Sequence, residues 1–74
     1  MQLKTIQHVF STKEVKGIMD SADTDGFILS YGEDIMTIKV ERQGKTPKTI
    51  MSAAMVAPNR WHVMAIEGLL ERVE

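Results

Sequence analysis

Residues 27–42 read Phe27-Ile28-Leu29-Ser30-Tyr31-Gly32-Glu33-Asp34-Ile35-Met36-Thr37-Ile38-Lys39-Val40-Glu41-Arg42. In the second half Met36, Ile38 and Val40 alternate with Thr37, Lys39 and Glu41, the period of a strand with one face in the core and the other in water. Phe27 to Tyr31 is a shorter β-prone run, and Gly32-Glu33-Asp34 is the turn between them. The stretch therefore reads as a β-hairpin, and the fold is built around an antiparallel sheet.

Toward the N-terminus, Asp23-Thr24-Asp25-Gly26 is a turn signal, because Asp side chains bond nearby amides and Gly accepts positive φ. Before it, Ser11 and Glu14 have the spacing of a capping box, in which each side chain bonds a free backbone N–H at a helix start. A helix from about Thr12 to Ser21 is predicted, with Val15, Ile18, Met19 and Ala22 on its buried side. Gly17 weakens it by about 1 kcal/mol relative to alanine. Residues 1–10 stay open: Leu3, Ile6 and Phe10 fit one helix face, and Thr5, Ile6 and Val9 equally suit a strand.

Toward the C-terminus, Gln43-Gly44-Lys45-Thr46-Pro47 breaks the pattern, and Lys48 to Val56 resumes it with small and β-branched residues. Pro58-Asn59 is a second tight turn, followed by the apolar run that starts at Trp61. Trp61, Met64, Ala65, Leu69 and Val73 also fit one helix face, but Gly68 in their midst favours two short strands. The expected fold is mainly β with an N-terminal helical segment, an α+β chain forming a small SH3-like barrel or a strongly bent antiparallel sheet. Residues 1–74 are expected to form a single domain.

Nine basic against ten acidic residues leave a net charge of −1, so long-range attraction to nucleic acid is weak unless the charges are segregated. With no cysteine there is neither a disulfide staple nor a thiolate metal site, which favours a cytoplasmic location. No apolar run approaches the roughly 20 residues that cross a bilayer, and the first residues lack the apolar core of a signal peptide. The chain is expected to be complete, to avoid membranes and to fold with a thin stability margin, so a homodimer is open.

Three patterns could carry chemistry. Ser21 to Ile28 resembles the front of a calcium loop, with Asp23 and Asp25 as alternate oxygen ligands, but Gly32 stands where the bidentate glutamate belongs and Glu33 comes one place late. A plain Asp/Gly turn is the preferred reading, and no metal or other cofactor is expected. His8 and His62 lie among apolar neighbours with no nucleophile motif or phosphate loop, so no catalytic residues are assigned. Trp61, beside Arg60 and His62, either stacks on a ligand or packs in the core, and the six methionines read as core filler.

From Lys13 onward the order of features resembles the WYL domain family. The matching elements are Ile28-Leu29-Ser30-Tyr31, the basic-x-aliphatic Lys48-Thr49-Ile50, the signature Arg60-Trp61-His62-Val63 with Ala65, and the closing Leu70-Glu71-Arg72-Val73. His62 replaces the signature tyrosine, Ser52 stands where the family tends to have proline, and the last two elements are unusually close. The resemblance implies an SH3-like module that binds a nucleotide or short single-stranded nucleic acid, with Tyr31, Lys48, His62 and Arg72 as ligand-binding residues, and Trp61 joins them as a residue able to stack a base. It further implies a small accessory protein of bacteria or their phages. The expected function is a non-enzymatic regulatory binding module. The alternative is a protein-interaction module, such as a phage-encoded modulator or inhibitor of a host protein complex.

Overall fold

Ser11 caps a helix as its spacing predicts: its hydroxyl accepts from the Glu14 amide at 3.1 Å, and the Glu14 carboxylate accepts from the Ser11 amide at 3.0 Å. The computed structural model describes residues 2–70. Its elements are β1 Lys4–Phe10, α1 Thr12–Thr24, β2 Ile28–Tyr31, β3 Ile35–Arg42, β4 Lys45–Ala57 and β5 Arg60–Ala65. All neighbouring strands are antiparallel, in the order β1-β5-β4-β3-β2. Strands β2 to β5 form a meander, and β1 joins the free edge of β5.

Strands β1 and β2, consecutive in sequence, thus lie at opposite edges of the sheet, and α1 has to travel between them. Thirteen helical residues rise about 20 Å, and four strand spacings amount to about 19 Å. The helix is as long as the sheet is wide. Val15, Met19 and Ala22 are buried against it, with Ile18 partly so.

Strand register explains which residues face the helix, because directly opposite residues share a face. Leu29, Ile38, Met51, Ala65 and Lys4 form one row across all five strands, and Tyr31, Met36, Ala53, Val63 and Ile6 form the next. The middle of both rows is fully buried. Trp61, only 1% exposed, lies between Met55 and Phe10 and donates its indole N–H to the Thr12 hydroxyl at 2.8 Å. The Thr12 amide in turn donates to Asn59 Oδ1 at 2.9 Å. Asn59 occupies the left-handed region, with φ 60°, which asparagine tolerates better than most residues. The first turn of α1 is thereby fastened to β5 and to the β4–β5 turn.

The expected α+β, mainly antiparallel architecture is present, but the barrel is not closed. The strands that would have to meet, β1 and β2, are the two edges, and the inner face that closure would enclose is occupied by α1. Other differences are local. Residues 4–10 are strand; the helix runs three residues past Ser21; and β2 begins at Ile28 rather than Phe27.

The break foreseen over residues 43–47 shrinks to Gln43-Gly44, with Gly44 at φ 70°. Pro47 lies inside β4 where the register with β3 shifts between Val40 and Arg42, a site where its missing N–H removes no ladder bond. The second terminal strand does not form at its start. Gly68 turns the chain with φ 84°, Leu69 and Leu70 are helical, and Leu69 is buried in the core. The rest of that predicted strand lies outside the described residues. No helix among the described residues is long and apolar enough to cross a membrane.

Candidate nucleic-acid interface

The residues named from sequence are not assembled into one site. Tyr31 is 57% exposed and stands opposite Met36, whereas Lys48 stands opposite Val40, four residues or about 13 Å further along β3. His62 is exposed and pairs with Ala54, on the sheet face away from the helix. Trp61 is core, so it offers no face on which a base could stack, and this corrects its assignment as a ligand-binding residue. Arg72 lies outside the described residues.

The calcium reading fares no better in geometry. Asp23 is in the last turns of α1, Asp25 caps its C-terminus and Glu33 sits in the β2–β3 turn. No group of three or more acidic or histidine side chains that could hold a metal ion occurs among the described residues.

The helix N-terminus, a ready anion site in other settings, is already occupied from within. The Thr12 and Glu14 amides are bonded to Asn59 and Ser11, and the Glu14 carboxylate sits at the same place. Hydrogen bonding from the Ser11 amide, assisted by His8 at 3.3 Å, holds that carboxyl below its ordinary value. An incoming phosphate would meet a negative charge there. A hollow of about 340 Å³ opens between Phe27, Val40, Ile50, Ile66, Glu67, Gly68 and Leu69. Its lining is apolar apart from one acid, the wrong sign for a nucleotide phosphate.

Charge is concentrated elsewhere. Residues 39–48 carry Lys39, Arg42, Lys45 and Lys48 against Glu41 alone, a net of +3, while the remainder of the chain carries five basic against nine acidic residues, a net of −4. All but Lys39 of these residues are also set apart in space. The last pairing of β2 is Ile28 with Lys39, and β5 ends its pairing at Met51 with Ala65, extended by the Ile66 amide to the Ile50 carbonyl. Val40 to Lys48 pair only with each other, and Lys39, which pairs with both Ile28 and Thr49, stands at their foot.

Five residues on each side project about 15 Å as a two-stranded arm. Within it the Arg42 guanidinium donates through Nε and Nη2 to the Thr46 carbonyl at 3.0 and 2.7 Å, which stiffens the tip. The ion pairs among the described residues are Lys4 with Glu67 and His8 with Glu14, so none of the four bases of residues 39–48 is neutralised by a neighbour there.

Sequence reasoning identified Lys48 in this arm and missed Arg42 and Lys45, together with Lys39 at its foot. The signal was present as a local charge count and was hidden by averaging over the whole chain. No family model, curated protein or solved structure matches this chain.

Proposed function

We propose that this chain is a small, non-enzymatic regulatory binding module whose ligand is nucleic acid, contacted through the β3–β4 arm. The observation that carries the reading is the segregation of charge: +3 over residues 39–48, the projecting arm and its foot, and −4 on the rest. Phosphate contacts from Lys and Arg supply most of the affinity in sequence-independent binding. Arm cations free of ion pairs meet that need, whereas the dispersed Tyr31, Lys48 and His62 do not form a nucleotide pocket.

The test is a titration of labelled oligonucleotides, single-stranded and duplex, at low salt and then at rising salt. Binding that weakens steeply with salt, and that is lost in the Lys45→Glu/Lys48→Glu double variant while the melting temperature holds, is the expected result. No binding of either form at low salt, or equal binding by the variant, overturns the reading.

A second reading, protein interaction, draws on the sheet face that the helix leaves uncovered. Ile35 at 47% and Met64 at 40% exposure lie there beside Ala54 and Ser52, with no charge between them. Recovery of a nuclease-resistant protein complex that Ile35→Glu abolishes would favour it over the nucleic-acid reading.

A further inference from the structure

Resting on the nucleic-acid reading, we infer that the ligand is double-stranded DNA and that the β3–β4 arm enters its major groove. Three features of the arm lead there. The first is shape. The major groove of B-form DNA is about 12 Å wide and about 8.5 Å deep and admits a two-stranded β-ribbon, whereas the minor groove, about 6 Å wide, does not. Double-stranded RNA closes its major groove to a narrow slot. An arm projecting about 15 Å is long enough to bring Gln43 and Gly44 to the floor while its base stays outside.

The second feature is where the cations sit. Within the ribbon Arg42 is on β3, and Lys45 and Lys48 are on β4, with Lys39 at the foot where β2 still pairs. A ribbon lying in a groove presents its two edges to the two phosphate walls, and this arm has at least one cation on each. Arg42 stands opposite Lys45 next to the turn, and Lys48 lies opposite Val40 nearer the sheet. Gly44, in the turn, has open space around its α-carbon, so the backbone can approach base edges closely.

The third feature is the lack of a stacking platform. Binding to single strands relies on aromatic faces that stack successive bases. Residues 40–49 contain no aromatic residue; Trp61 is in the core, Phe27 is half-buried in the hollow at the arm's foot, and Tyr31 is about 13 Å away. Gln43 is the one tip side chain with an amide able to pair with a base edge. The arm therefore holds duplex DNA mainly by phosphates and with weak sequence preference.

The experiment compares three probes of one sequence and length: duplex DNA, its single strand and the corresponding duplex RNA. Each is titrated by fluorescence anisotropy at low salt, with methyl green as a major-groove competitor and netropsin as a minor-groove competitor. Duplex DNA should bind about tenfold or more tightly than the other two, and methyl green should displace the protein where netropsin does not. Three phosphate contacts, from Arg42, Lys45 and Lys48, should give a slope of log affinity against log salt of about −2.7.

Single strand or duplex RNA bound as tightly as duplex DNA would overturn this inference and leave the nucleic-acid reading standing. Displacement by netropsin instead of methyl green would overturn the groove assignment. Failure of all three probes to bind at low salt would remove the reading beneath it.

Discussion

The arm and the body of this molecule solve opposite problems with the same strands. In the body, β3 and β4 contribute Met36, Ile38, Met51 and Ala53 to a core with Trp61 and the helix, and among the described residues no buried side-chain polar atom lacks a partner. A few residues further on, the same two strands carry Arg42 and Lys45 into solvent, with Lys39 and Lys48 half-buried nearer the body. An isolated two-stranded hairpin is marginally stable, so the arm depends on the body for its shape, through Val40 and Ile50 at its foot. The body depends on the arm for very little. Stability and ligand binding should therefore respond to different substitutions.

The heaviest loss is expected in the body. Trp61→Ala removes the biggest core side chain and leaves the Thr12 hydroxyl without its donor, at a cost of about 3–5 kcal/mol. In so small a domain, urea unfolding should show a mostly unfolded chain, and binding should vanish with the fold. Near-native stability would mean that the core lies elsewhere.

Asn59→Ala should lower stability by about 2 kcal/mol, combining the left-handed backbone with the broken bond to the Thr12 amide. Asn59→Gly, which relieves the backbone and forfeits only the bond, should fall between Asn59→Ala and the unaltered protein in the same unfolding experiment. Equal losses in both variants would show that the side-chain bond alone matters.

Gly44→Ala probes the arm instead. At φ 70° an alanine carries a strain of about 1–2 kcal/mol, confined to the arm's tip. Amide exchange should quicken across residues 40–49, and affinity for nucleic acid should drop, with less change in global melting than Asn59→Ala produces. A global loss as large as that of Asn59→Ala would show that arm and body unfold as one unit.

The slightest change is a pH dependence at the helix start. The Glu14 carboxyl is held below its ordinary value first by the Ser11 amide and then by His8. Its contribution is thus complete above the ordinary carboxylate range and is lost as pH falls through that range toward the depressed folded value. Glu14→Gln keeps the cap geometry without the charge, so its melting temperature should fall less on acidification. An unchanged acid limb would show that Glu14 has no part in the pH dependence.

Much of the body was legible because local signals agreed with the fold. The period-two run over residues 35–42, the Ser11 and Glu14 capping box and the Pro58-Asn59 turn all appear where the sequence predicts them. Residues 1–10 stayed open for a physical reason: Ile6 and Phe10, four residues apart, share a face in a helix and in a strand alike, so spacing alone could not decide for β1.

Strand order escaped local reading because nothing within β1 says that its partner is β5, some fifty residues away, and an open sheet cannot be told from a barrel without that pairing. Pro47 looked like a strand breaker, yet an arm strand with a register shift accommodates it. The candidate site was legible only in part, since the resemblance drew attention to Tyr31, Lys48, Trp61 and His62 while the local excess of charge at residues 39–48 was concealed in a net charge of −1.

If the arm binds while the body folds, the salt dependence of duplex DNA binding should separate the two. It is measured for the unaltered protein and for Lys45→Ala/Lys48→Ala, with both melting temperatures taken in parallel. The slope of log affinity against log salt should be shallower by about 2 in the variant, one unit for each phosphate that is no longer neutralised, and the two melting temperatures should agree. An unchanged slope, or a fall in melting temperature that alone explains the weaker binding, would contradict this division between arm and body.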